Sequence, residues 1–161
     1  MDEAAFAQAL RPLLRRSAGY AQALLGERKD AEDAVQQAAL RAWTQRARYD
    51  PARPFKPWWY AILRNQCLDS LRRRARTPAM IPVEEAALGI PPDERALDRV
   101  ALAAGLARLP ETQREILLLR YFAELDYAEL AALLAIPRGT VMSRLHLARR
   151  ALAGLITPRE P

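Results

Sequence analysis

Catalysis needs clustered groups, and the side chains able to perform it here are scattered. Cys67 is the single cysteine and His146 the single histidine. Neither an internal disulfide nor a thiolate or imidazole set for zinc can form from them. Asp30, Glu32 and Asp33 are the densest carboxylate group. On a helix Asp30 and Asp33 face one way and Glu32 another, which makes them a poor metal cage. They serve better as a helix cap, dipole partners and a docking surface. Catalysis in cis would need a nucleophile beside a base, or carboxylates converging on a metal. The sequence offers neither, so no metal, no cofactor and no enzymatic activity are expected.

A different chemistry is suggested by the run from Pro137 to Leu152. With residues about 100° apart, Val141, Leu145, Ala148 and Leu152 share one face. Gly139, Ser143, His146, Leu147 and Arg150 fall opposite, flanked by Thr140, Met142, Arg144 and Arg149. A helix that buries the aliphatic side presents small residues near its start and cations further along. Small residues let a helix sink into the major groove, and arginines pair with guanine edges or phosphates.

The preceding residues supply the other half of such a device. Asp126-Tyr127-Ala128-Glu129 has capping-box spacing and opens a short helix to about Leu134. A turn and Ile136-Pro137 then start the last helix, which makes a helix-turn-helix. Upstream, Asp93 to Ala107 is helical, and Pro110 suits the first position of the next helix, where its missing N–H costs nothing. Within the N-terminal part, Glu3 to Leu25 is helical with a break at Pro12, and Gly26 is a natural stop. A second helix is expected from Asp30, as cap, to about Ala47, with Leu40 and Trp43 extending the apolar stripe of Val35 and Ala39. Arg48 to Pro54 reads as a loop. A third helix spans about Phe55 to Ala75, with Cys67 as a small buried core thiol.

Between the two helical regions, residues 76–93 hold Pro78, Pro82, Pro91, Pro92 and Gly89, which no helix interior tolerates. The expected architecture is all-α: one helical domain over 1–75, a Pro-rich linker over 76–93 and a helix-turn-helix domain over 94–161. Alanine and leucine dominate a half-hydrophobic composition, which favours helices. The net charge of +6 suits a polyanionic partner. Residues 1–75 carry 14 Lys/Arg against 8 Asp/Glu, so that half should meet a polyanion too. The acidic start lacks a signal-peptide stretch, and no segment approaches the roughly 20 apolar residues of a membrane span. The chain reads as soluble and cytoplasmic, with no membrane insertion.

Several motifs resemble, in order, those of the extracytoplasmic-function sigma factors of bacterial RNA polymerase. Leu109-Pro110-Glu111-Thr112-Gln113-Arg114-Glu115, then Leu118 with Arg120-Tyr121-Phe122, then Tyr127 to Ala131, then Ile136 to Leu145 are similar to the family's promoter-reading domain. Asp30 to Gln37, with Leu40-Arg41-Ala42-Trp43, resembles its polymerase-docking helix. Pro54-Phe55-Lys56-Pro57-Trp58 with Arg64-Asn65, Leu68-Asp69 and Leu71-Arg72-Arg73 resembles its promoter-melting segment. The resemblance implies docking on the clamp helices of the largest polymerase subunit through Asp33, Gln36 and Gln37. It implies −10 contacts by Arg48, Tyr49, Arg53, Phe55, Lys56, Trp58, Arg64 and Asn65. Tyr49, Phe55, Trp58 and Trp59 could stack on a flipped base. The −35 element would meet Arg138, Thr140, Met142, Ser143, Arg144, His146, Leu147, Arg149 and Arg150. An anti-sigma factor is a further implied partner.

The sequence also departs from that pattern. Family members often carry cations where Met142 and Leu147 stand, and either residue could touch a thymine methyl instead. Gln37 replaces a usual Glu. Ala135 replaces the common turn Gly, where a left-handed backbone would cost roughly 1 kcal/mol. Rival readings are a sigma-like decoy that occupies an anti-sigma factor, and a stand-alone helix-turn-helix regulator. The second leaves the first domain unexplained and shows no dimerisation heptad.

Overall fold

The computed structural model describes residues 1–76 and 94–156, with side chains in the second stretch from residue 101. Among these residues all regular structure is helical. Helix α1 (Glu3–Leu10) is capped by Asp2, which accepts from Ala5 N at 2.8 Å. A 3-10 turn, Arg11–Leu13, absorbs Pro12 and leads into α2 (Leu14–Leu25). Gly26 ends α2 at φ 77°, a left-handed conformation that glycine adopts without a Cβ penalty, and donates to the Gln22 carbonyl.

Helix α3 (Arg28–Gln45) begins two residues before the expected Asp30. Its N-cap is Glu27, which makes no side-chain cap bond. Asp30 lies inside the first turn and accepts from the Arg74 guanidinium, which also donates to the Leu25 carbonyl at 2.8 Å. Asp30 is therefore a clamp between helices rather than a cap. The inward stripe of α3 is Ala31, Ala34, Ala38 and Ala42. These small residues let the helix lie close to its neighbours and leave Leu40 on the opposite side, 60% exposed. The expected continuation of the apolar stripe through Leu40 is thus corrected. Trp43 is half-buried on the flank.

After the 3-10 turn Arg46–Arg48 and an irregular stretch, α4 (Phe55–Arg76) crosses α2 and α3. It contributes Trp59, Tyr60, Leu63 and Cys67, all fully buried. The Trp59 indole N–H donates to Ser17 Oγ at 2.8 Å, and Ser17 donates onward to the Leu13 carbonyl at 2.7 Å. Burial pushes the Cys67 thiol up to about 12. Tyr20 packs edge-on to Tyr60, and its hydroxyl, buried without a partner among the described residues, is pushed well above the ordinary tyrosine range by desolvation.

The second region comprises α5 (Glu94–Arg108), α6 (Glu111–Tyr121), α7 (Tyr127–Leu134) and α8 (Arg138–Ile156). Pro110 stands at the N-cap of α6 with ψ 145°, one residue earlier than expected. The Asp126–Glu129 capping box forms: Glu129 N donates to Asp126 and Asp126 N to Glu129, each at 2.8 Å. Ile116, Leu118, Leu119, Leu125, Leu130, Val141, Leu145 and Ala148 close the core. Ala135 sits at φ 54°, so the turn before α8 is made in the left-handed region without a glycine. The Pro-rich segment expected as a linker falls on residues outside those described, except Arg76, which closes α4. Among the described residues no helix is long and apolar enough to cross a membrane.

Candidate nucleic-acid interface

Packing α8 on α5, α6 and α7 decides what it can offer. Val141, Leu145 and Ala148 are buried, and Leu152 is half-buried. The opposite side, Gly139, Met142, Ser143, His146, Leu147, Arg149 and Arg150, is in solvent together with Arg138, while Thr140 and Arg144 lie half-exposed on the rim. A Cβ added to Gly139 would meet nothing within 4 Å. The start of the helix is therefore unobstructed from the protein side. Ser143 Oγ donates to the Gly139 carbonyl at 3.0 Å. Arg149 donates to Tyr121 Oη at 2.7 Å, which fixes its position on the rim. Nothing in the sequence alone pointed to Tyr121 as a partner for it. Met142 and Leu147 are 54% and 55% exposed, an apolar element within an otherwise polar face.

The second candidate surface centres on α4 and the loop before it. Tyr49, Phe55 and Trp58 form a half-buried aromatic group, with ring centroids 5.0 to 5.6 Å apart. Phe6 packs edge-on against Phe55 from behind. The loop is braced by Tyr49 Oη, which donates to the Arg53 carbonyl at 2.6 Å, and by Asp50, which accepts from Ala52 N. Arg48, Arg53 and Asn65 are exposed. Trp59, one of four aromatics considered for stacking, is fully buried and bonded to Ser17, so it is a core residue.

Lys56 and Arg64, on the same helix, are not free. The Arg64 guanidinium pairs with Glu115 of α6. Lys56 Nζ donates to the Glu124 carbonyl at 2.8 Å and lies 3.8 Å from the Glu129 carboxylate. Trp58 and Tyr49 line a cleft whose far wall is Ala128, Glu129, Ala132 and Leu133 of α7. Arg16 of α2 reaches Glu124 at 2.9 Å. Gly19 lies close under Phe122 here: a Cβ there would stand 3.2 Å from the ring, a tight contact.

On α3, the outward face carries Asp33, Gln36 and Gln37, all exposed, followed one turn on by Leu40. This is a polar surface with one apolar tooth. It uses none of the residues that join α2 and α4 to α6 and α7.

Two helical units, one with an arginine-bearing helix-turn-helix and one with a basic aromatic face, describe the sigma-70 class, and sequence comparison agrees. Residues 7–77 match the family model for sigma-70 region 2, and residues 99–152 that for sigma-70, region 4. The ECF RNA polymerase sigma factor SigL of Mycobacterium tuberculosis is 39% identical over 140 residues, 83% of this chain and 78% of that one. The ECF sigma factor RpoE of Cereibacter sphaeroides is 31% identical over 157 residues, 91% of this chain and 83% of the relative. Among solved structures, the sigma factor RpoE of Bartonella quintana, in complex with the anti-sigma factor NepR, superposes with TM-score 0.74 at 25% identity. That match covers 96% of this chain and 98% of that one. CnrH in complex with the cytosolic domain of CnrY gives the same TM-score at 26% identity, over 96% of this chain and 89% of the other. The chain belongs to the extracytoplasmic-function (ECF) family of RNA polymerase sigma factors.

Proposed function

We propose that the chain directs promoter recognition with its two helical units in separate roles. The first unit docks on the clamp helices of core RNA polymerase through Asp33, Gln36 and Gln37. Its α4 face, with Arg48, Tyr49, Arg53, Phe55, Lys56, Trp58, Arg64 and Asn65, engages the opened −10 element. The second unit reads the −35 element with α8, and the polymerase performs the chemistry. The observation that carries this reading is the orientation of α8: its aliphatic side is buried while Gly139, Ser143, His146 and Arg150 stand in solvent.

The energetic division follows from charge. Arg138, Arg144, Arg149 and Arg150 supply a sequence-independent, salt-sensitive attraction to phosphate. Discrimination comes from what reaches base edges, and Met142 and Leu147 favour contact with thymine methyls. One solved relative is in complex with an anti-sigma factor and another with the cytosolic domain of CnrY, and an anti-sigma regulator is part of the proposal for this chain.

Run-off transcription with core polymerase over a promoter library tests the whole reading. A promoter-dependent transcript is expected, and its sequence preferences give both elements. No transcript from a chain that still captures an anti-sigma factor would instead identify a decoy. Asp33→Arg should abolish association with core polymerase, and unchanged affinity would refute the docking face.

A further inference from the structure

We infer that α8 reads the C5-methyl groups of pyrimidines rather than the bases that carry them. 5-Methylcytosine then substitutes for thymine in the upstream element, and cytosine methylation changes which promoters this chain selects. This rests on the assignment of α8 to the −35 element and names the modified base that the helix accepts. Along the middle of its outward side, α8 has few groups that can donate to a base. Ser143 Oγ donates to the Gly139 carbonyl at 3.0 Å, which leaves its oxygen only to accept. Arg149 is held by Tyr121 at 2.7 Å, and Arg144 lies on the rim. Between Arg138 and Arg149 the exposed side chains are Met142, Ser143, His146 and Leu147, and two of these are apolar.

Met142 and Leu147 each leave over half of their surface in solvent, so the fold does not need them. Open space around Gly139 lets the start of the helix approach a duplex closely. The methyl of thymine is the apolar group on the major-groove edge. Cytosine and uracil lack it, whereas 5-methylcytosine carries it on the same ring atom. An apolar side chain therefore cannot tell thymine from 5-methylcytosine, while an arginine in the same place would select guanine. Met142 and Leu147 are about 140° apart around the helix and about 7.5 Å apart along it. They flank the strip of Ser143, His146 and Arg150, and with bases roughly 3.4 Å apart they reach separate base pairs. The Ser143 oxygen beside Met142 adds to the fit, because it accepts from an amino group. A thymine·adenine pair offers adenine's amino group and thymine's methyl, and a 5-methylcytosine·guanine pair offers both from one base. An unmethylated cytosine·guanine pair offers the amino group alone.

The probe is a promoter duplex recovered from the run-off library, bound by the full chain in complex with core polymerase and followed by fluorescence anisotropy and transcript yield. Its upstream half is synthesised with single base replacements, and its downstream half is left unaltered. Thymine→uracil removes only the methyl, and cytosine→5-methylcytosine adds only the methyl. At two upstream positions uracil should weaken binding about three- to fivefold, the effect of leaving one methyl unburied. At those positions 5-methylcytosine should recover most of what cytosine loses. Met142→Ala should erase the uracil penalty at one position and Leu147→Ala at the other. Both residues are exposed, so the fold should survive, and circular dichroism checks it. Wild-type binding indifferent to uracil at every upstream thymine, and to methylation of every upstream cytosine, overturns the inference. A penalty that persists in the doubly substituted chain also overturns it, since DNA stiffness would then be its source. No promoter-dependent transcript refutes the function itself, whereas a normal transcript without methyl dependence refutes only the methyl reading.

Discussion

The two candidate DNA surfaces of this chain both carry basic side chains and sit in opposite states. On α8, arginines and small residues face solvent, and Arg149 is tied to Tyr121. On α4, Lys56 and Arg64 are spoken for by the other unit, and the aromatics face α7 across a cleft. The difference in state lies in their surroundings. A recognition helix for duplex DNA needs only an unobstructed face, since the double helix presents phosphates and base edges without being opened. A surface for unpaired strand must wait for melted DNA. Leaving stacking aromatics and desolvated cations bare in the meantime invites non-specific single strands, whose binding is sequence-tolerant.

The comparison can be broken at several points. The largest effect is expected on the open surface: Arg144→Ala with Arg150→Ala should remove most run-off transcript while polymerase binding persists. Normal transcription by that pair would mean that α8 does not read the promoter. Next come the adjacent tryptophans, which test the distinction between core and working face. Trp59→Ala empties a fully buried, hydrogen-bonded site and should cost about 3–5 kcal/mol of stability. Trp58→Ala, half-exposed in the cleft, should cost far less yet impair promoter opening. Denaturant titration beside a melting assay measures both, and equal stability losses would erase the distinction.

Alkaline pH offers a third test of the first unit. The folded thiol of Cys67 titrates near 12 and the Tyr20 phenol is raised in the same direction, both because burial disfavours the anion. Each group binds its proton more tightly when folded, so their contribution is complete below the unfolded values and is lost as pH rises above about 9. Urea midpoints should therefore drop between pH 8 and pH 10. A Cys67→Ala, Tyr20→Phe chain should show a shallower drop, and an identical slope would exclude these groups as the cause. The smallest effects belong to two single sites. Ala135→Gly relieves a left-handed alanine and should raise stability by about 1 kcal/mol. Gly139→Ala meets open space, so it should leave the fold intact while weakening duplex binding. Undiminished duplex affinity would show that DNA does not approach the helix closely there.

Local signals carried the element boundaries. The Asp126–Glu129 box and the Gly26 stop act within one turn of chain, so four or five residues contain all the information. Asp30 shows where such reading fails. Its carboxylate is chemically able to cap, but its partner Arg74 lies 44 residues away, so its clamp role is invisible until α3 and α4 are packed. Leu40 fails for a related reason: a stripe of four alanines outcompetes one leucine for the inward side because close helix approach buries more of both helices. The outward side of α8 was legible because periodicity alone decides it. The partners of Lys56 and Arg64 were not, since they lie across the Pro-rich segment on another unit.

All three tryptophans, Trp43, Trp58 and Trp59, lie in the first unit, and Trp58 alone among them lines the cleft against α7. The indole emission of the chain is thus a built-in optical gauge of one half of the molecule. Loss of the second unit's own packing should pass almost unseen at those wavelengths. Separation of the halves should register through the newly wetted Trp58, as a red shift without unfolding.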